Sequence, residues 1–336
     1  MALPVTGEDI VAARRIVDRY LPRAPLERSP LLSGELGAEI HLKIETFKPT
    51  RTFKVRGALN KVASLDERAR ARGVVAASAG SHAQGVAYAA WALSVSATVV
   101  MPNEVSPTIV GVCRAYGATV RLEGDLYDDT LSLAHRIEEE EGRTFVHPYA
   151  DPLIVAGQGT IGLEILEELR DVDVVIVAVG GGGLISGIGL AIKAQQPGVR
   201  IVGVEPEGAD AFGRSLRAGR PVVLDEAHSI ADKLVVKTTR DLNVEIGRAV
   251  VDDMVTVTET ALADATYEYL DRLSLMVEPS GAAPLAALRS GKVRVAGKRA
   301  VLVLSGGNAA PAMLAKILSD RTSDVSRSGI EESAPA

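Results

Sequence analysis

The stretch Val172-Asp-Val-Val-Ile-Val-Ala-Val179, Gly180-Gly-Gly-Gly183 and Leu184 to Gln196 runs from an apolar segment through four glycines into a segment of helical length. The first part is apolar without alternation, the pattern of a parallel strand covered on both faces. Four consecutive glycines cost backbone entropy and supply no side chains, so a purely structural connection rarely uses them. Successive free N–H groups at a helix N-terminus make a nest for an anion, a phosphate above all. Neither G-x-x-x-x-G-K-[ST] nor G-x-G-x-x-G is present here, so the ATP and dinucleotide fingerprints are missing.

The same alternation extends in both directions. Strands are expected at Glu39–Ile44, Gly73–Ala77, Ser96–Met101, Thr119–Leu122, Val172–Val179, Arg200–Glu205 and Arg299–Ser305. Helices are expected at Glu8–Tyr20, Phe53–Ser64, His82–Leu93, Tyr127–Glu141, Thr160–Arg170, Leu184–Gln196, Glu259–Leu273 and Ala282–Ser290. Repeated units of this kind imply doubly wound α/β architecture with parallel twisted sheets. The compact series between Gly73 and Leu122 reads as a small α/β domain, 73–150, inserted into a large one, 1–72 plus 151–319. The polar segment 320–336 reads as a disordered tail.

Composition narrows the function. The chain has 336 residues, 47% of them apolar, enough for a large core. A net charge of -6 argues against nucleic acid or an anionic membrane surface as a partner. The single cysteine, Cys113, excludes an internal disulfide and fits a reducing cytoplasm; at helical spacing it reads as core. The N-terminus lacks the pattern of a signal peptide, and no apolar run is long enough to span a membrane.

Ligands in open α/β sheets bind beyond the carboxyl ends of the strands, and four loops at such places are unusual. Thr50-Arg-Thr-Phe-Lys54-Val-Arg-Gly57 sets a lysine beside an aromatic at a helix start, which by itself also suits a surface lysine. Ala77-Ser-Ala-Gly-Ser81-His-Ala-Gln84-Gly85 has the S-x-x-Q spacing of a capping box, and its amides would equally suit a carboxylate. The tetraglycine is the third. Leu304-Ser305-Gly-Gly-Asn308 is the fourth, with a polar Ser where a strand ends. A phosphate, a group that needs a lysine, an anionic substrate and a heteroaromatic edge together describe pyridoxal 5'-phosphate (PLP) with an amino acid.

On these motifs the chain resembles the fold-type II PLP enzymes, the threonine/serine dehydratase (ammonia-lyase) and serine racemase family, over about residues 8–318. The resemblance implies two α/β domains with the cofactor in the cleft between them. It implies that Lys54 in TFKVRGA is the Schiff-base lysine and the base at Cα, with Phe53 beside the ring. Gly180, Gly181, Gly182, Gly183 and Leu184 would bind the phosphate, and Ser305 the pyridine nitrogen. Ser78, Ala79, Gly80, Ser81 and His82 would receive the substrate carboxylate, with Ser81 also near the cofactor. Glu278 in EPSGAA falls near the site, while Glu205 and Ala209 fall where relatives hold a mono- or divalent cation. The implied reaction releases a 2-oxo acid and ammonia from a small β-hydroxy amino acid, and the implied assembly is a homodimer.

Racemases of this family carry a second Ser where this chain has Ala79, and Tyr149 in HPYAD follows the dehydratase pattern. No regulatory domain is expected after Leu318. Three positions depart from the family: Ser81 replaces the usual Asn, Arg51-Thr52 replace Gly-Ser, and Lys233 replaces a Gly. Ala211 stands where a third, acidic cation ligand is expected, next to Asp210. Arg51 and Lys233 are read either as surface groups, Lys233 pairing with Asp232, or as substrate-binding cations that favour a larger or acidic side chain. The competing functions are β-elimination or β-replacement on such a substrate, racemisation, and a non-catalytic binding protein of the same fold.

Overall fold

Parallel strands form where apolar side chains on both faces find a helix to cover them. In the computed structural model, which describes residues 3–125 and 127–327, ten strands build two sheets. In chain order they are β1 (Leu26–Arg28), β2 (Glu39–Ile44), β3 (Val74–Ala77), β4 (Ala97–Met101), β5 (Thr119–Leu122), β6 (Thr144–Phe145), β7 (Val174–Ala178), β8 (Arg200–Pro206), β9 (Asp253–Val257) and β10 (Arg299–Leu304). The larger sheet has the order β1-β2-β10-β7-β8-β9 and the smaller one β5-β4-β3-β6. Every pairing is parallel except that of β1 with β2.

Alternate residues of one strand serve opposite cores. Val174, Ile176 and Ala178 pack with Ala282, Leu285 and Leu262 on one face of the larger sheet. Val175, Val177 and Val179 pack with Ile185, Ile188 and Ile165 on the other. In the smaller sheet Val74 and Ala76 face Val86 and Leu59, whereas Val75 and Ala77 face Leu133 and Ile137. Cys113 lies buried in the former cluster.

The seven expected strands all form, within one or two residues of their expected ends. The short edge strands β1 and β6 and the half-covered β9 have no apolar run to mark them. The helix expected from Thr160 begins at Pro152, because the Asp151 carboxylate accepts the N–H groups of Leu153 and Ile154. Gly157 and Gly159 disguise that helix as a loop. Trp91 is 58% exposed on an aromatic cluster with Tyr88 and Tyr116. Residues 320–327, expected to be disordered, continue the helix Pro311–Arg327, and Arg321 pairs with Asp264. Residues 328–336 lie outside the described residues. Among the described residues no helix is long and apolar enough to cross a membrane.

Candidate active site

The four unusual loops all leave the carboxyl ends of parallel strands. Thr50–Lys54 follow β2, Ser78–Ser81 follow β3, Gly180–Gly183 follow β7 and Ser305–Asn308 follow β10. Backbone bonds join the first and last: Phe53 N–H donates to the Ser305 carbonyl at 3.0 Å, and Gly307 N–H to the Arg51 carbonyl at 2.9 Å. The Thr52 hydroxyl adds a bond to the Ser305 carbonyl at 3.3 Å. Asn308 Nδ2 donates to the Thr50 carbonyl at 2.9 Å and to Ser81 Oγ at 3.3 Å, which draws in the loop after β3.

Lys54 opens the helix Lys54–Ala63, and its Nζ donates to the Pro148 carbonyl at 2.7 Å. Nζ also lies 5.2 Å from the centroid of the Phe53 ring. Burial alone brings its pKa down to about 8, so the neutral amine is accessible near physiological pH. After Pro148 comes Tyr149, whose ring covers the tetraglycine. A Cβ on Gly181 would be driven into that ring, and one on Gly182, with φ of 89°, into the ring of Phe212. The N–H groups of Gly181 to Gly183 meet no protein acceptor among the described residues and stand at the start of the helix Gly183–Lys193.

Capping of the loop after β3 differs from the expectation. Ser81 is the first residue of the helix Ser81–Ala92, Gly80 occupies the cap, and no side chain caps the helix. The S-x-x-Q spacing therefore makes no capping box, and Ser81 Oγ accepts from Asn308 instead. His82 is buried with Nε2 donating to the Val146 carbonyl at 2.8 Å. Burial, with the nearby Lys54 charge, lowers its pKa to about 3, which keeps it neutral. Ser78 Oγ accepts from Gly80 N–H at 3.1 Å.

Residues 17–306 match the family described as pyridoxal-phosphate dependent enzyme. The chain belongs to that family. It is 45% identical over 314 residues to the L-threonine ammonia-lyase of Thermotoga maritima, covering 94% of this chain and 78% of the relative. It is 44% identical over 285 residues to the phenylserine dehydratase of Ralstonia pickettii, covering 84% and 86%. The solved threonine deaminase of T.th. superimposes with a TM-score of 0.85 at 41% identity, covering 90% and 98%. The fold is that of the fold-type II PLP enzymes, and PLP is the cofactor.

The residues present fit that cofactor. A partly neutral lysine is bonded to Pro148, and the next residue, Tyr149, lies on a glycine nest with amides unanswered among the described residues. Ser305 follows β10, and the Glu278 carboxylate is buried against Gly306. Glu278 Oε2 has no partner among the described residues, and burial lifts this group's pKa to about 7. A buried polar atom left unmatched by the chain calls for an explanation, and a ligand in this cleft would supply one.

Arg51 is exposed, with φ of 57°, and joins the group through its backbone alone. That left-handed backbone accounts for the usual Gly of the family at this position. Glu205 is buried behind Phe212, and its two oxygens accept the N–H groups of Phe212 at 2.8 Å and Gly213 at 2.9 Å. Ala209 is buried, with its N–H bonded to the Pro206 carbonyl. Asp210 pairs with Arg214. No group of three or more His, Cys, Asp or Glu gathers among the described residues. Lys233 pairs with Asp232, and its stem lies over Gly80.

Sequence reasoning passed over His147, whose Nδ1 accepts the N–H groups of Tyr149 at 3.2 Å and Ala150 at 2.8 Å and so shapes the turn presenting Pro148 to Lys54. The HPYAD motif held this residue in plain view. Asn308, directly after the glycines that follow Ser305, was also missed as the tie between three loops.

Proposed function

We propose that this PLP-dependent enzyme is an ammonia-lyase that dehydrates a small β-hydroxy amino acid of the threonine/serine type, with Lys54 as its catalytic residue. The observation that carries the reading is Lys54 Nζ, with a pKa near 8, bonded to the Pro148 carbonyl next to Tyr149, whose ring lies on Gly181 in a glycine loop with amides that meet no protein acceptor among the described residues. Gly180 to Gly183 with Leu184 hold the phosphate through backbone N–H groups, Ser305 meets the pyridine nitrogen, and Phe53 and Glu278 border the ring. Ser78 to His82 seat the substrate carboxylate, and Tyr149 lines the cleft. When bound, the cofactor supplies an electron sink for the pair left at Cα. Lys54 Nζ takes the Cα proton, which it can do because burial keeps a neutral fraction available. Neutral His82, donating to Val146, fixes the start of its helix without adding a competing proton. The balance is one amino acid converted to one 2-oxo acid and one ammonia, with the β-hydroxyl lost as water and a water taken up in hydrolysis.

Residues 73–150 form the small domain in this reading, and the enzyme acts as a cytoplasmic homodimer. Exposed Trp91 and Phe47 provide apolar surface for a partner. A second reading, elimination from a hydroxy amino acid with a larger side chain, is favoured by the likeness to a phenylserine dehydratase. The test is a panel of L-threonine, L-serine, phenylserine and hydroxyaspartate assayed for 2-oxo acid and ammonia. Release from threonine or serine above the others supports the first reading, preference for phenylserine supports the second, and no release from any member overturns both.

A further inference from the structure

The turn Asp232–Leu234 touches loops of both sheets. On one side it backs onto the tetraglycine: a Cβ on Gly180 would lie 3.1 Å from Leu234 Cα and 3.3 Å from the Lys233 carbonyl. On the other side the Lys233 side chain crosses to the loop after β3. A Cβ on Gly80 would lie 3.3 Å from Lys233 Cε, 3.5 Å from Cδ and 3.7 Å from Nζ. Lys233 N–H donates to Ser280 Oγ at 3.2 Å, which fixes the backbone from which this side chain reaches out.

Its ammonium is not committed to the protein interior. The side chain is 24% exposed and pairs with Asp232, itself 52% exposed and the adjacent residue. An ion pair so open to water contributes little and exchanges readily for a better anion. Next to it, Gly80 caps the helix Ser81–Ala92 without any side-chain acceptor, so the first amides of that helix are unanswered. The buried Glu278 carboxylate lies within reach of the Lys233 charge. A free α-amino acid offers one group that answers both an ammonium and a row of amides, its α-carboxylate.

We propose that Lys233 is a substrate-binding residue whose ammonium joins the amides after Gly80 on the α-carboxylate of the amino acid, while its stem closes the cleft across Gly80. This rests on the proposed function only in taking the ligand to be a free amino acid. Charge on the carboxylate, rather than the nature of the β-substituent, is what Lys233 reads. A neutral amide in place of the carboxylate gains nothing from it.

The experiment uses the PLP-loaded enzyme and two non-eliminating probes, L-alanine and L-alaninamide, titrated by calorimetry and by the change in cofactor absorbance. Lys233→Met keeps the apolar stem over Gly80 and removes the charge. It should weaken L-alanine by about tenfold or more, the scale of one charge-assisted hydrogen bond, and L-alaninamide by no more than about twofold. Lys233→Arg should retain the preference for L-alanine. Equal weakening of both probes by the Met variant would assign Lys233 a packing role only, and unchanged L-alanine affinity would remove it from the site; either overturns the proposal. Alanine binding does not depend on elimination, so a failure of the lyase reading shows separately, as absence of 2-oxo acid from every hydroxy amino acid.

Discussion

Two polar clusters flank the start of the helix Lys54–Ala63, and they differ in how fully their groups are matched. Behind the helix Arg56 is fully buried between two carboxylates. Its Nε and Nη2 donate to Glu45 at 2.8 Å each, its Nη1 and Nη2 to Glu164 at 2.8 Å each, and Nη1 also to Thr160 at 3.0 Å. Lys43 completes this cluster with bonds of 2.7 Å to Glu164 and 2.6 Å to the Ala24 carbonyl. In front of the helix, among the described residues, Lys54 Nζ hydrogen-bonds one carbonyl, Glu278 Oε2 has no partner, and the amides of Gly181 to Gly183 meet no acceptor. Desolvated charge persists in proteins where it is answered. The rear cluster is answered by the chain itself and fixes where Lys54 stands. In the proposed function the front cluster is answered by cofactor and substrate.

Substitutions should separate the two. The largest effect belongs to the front: Lys54→Ala should abolish turnover and the visible absorbance of bound cofactor while thermal unfolding stays cooperative. At the rear, Arg56→Met leaves Glu45 and Glu164 buried without a counter-charge and should cost about 3–5 kcal/mol of stability by denaturant titration. An equal loss of stability from Lys54→Ala would erase the distinction. Gly181→Val pushes a side chain into the Tyr149 ring and should strip the enzyme of PLP on dialysis, with secondary structure retained by circular dichroism.

A smaller effect is set by pH. Lys54 is protonated below its pKa of about 8, and only the neutral amine can attack the cofactor carbonyl. Uptake of PLP by the apoprotein should therefore rise about tenfold per pH unit at low pH and level off above about pH 8. A plateau already reached at pH 6 would indicate a lysine shifted further than burial accounts for. The smallest expected change comes from Ala79→Ser. A hydroxyl there should add slow formation of D-serine from L-serine, measured by chiral chromatography, against continued dominance of pyruvate.

The front cluster was readable in the sequence because its parts are local. Phe53-Lys54, Gly180 to Gly183 and Leu304-Ser305 are contiguous motifs at ends of apolar strands, and the fold follows from those strands. The rear cluster was not readable, because Glu45 stands in the turn after β2 and Glu164 in helix Pro152–Glu168, and only folding brings both to Arg56. The same holds for Lys233 over Gly80, a contact between loops of different sheets. Ser81 and Gln84 had the spacing of a capping box, yet Asn308 holds the Ser81 hydroxyl, a partner that local spacing does not reveal. The resemblance gives Glu205 as a cation ligand, and local spacing does not reveal that its two oxygens accept N–H groups at the start of helix Ala211–Ala218.

The central claim is that Lys54, placed by the saturated cluster behind it, holds the cofactor in front of it. Borohydride reduction of the PLP-loaded enzyme, followed by proteolysis and mass spectrometry of the modified peptide, tests this most directly. One pyridoxyl group per chain, on Lys54, is the expected result. A label on Lys48, Lys233 or any other lysine would contradict it.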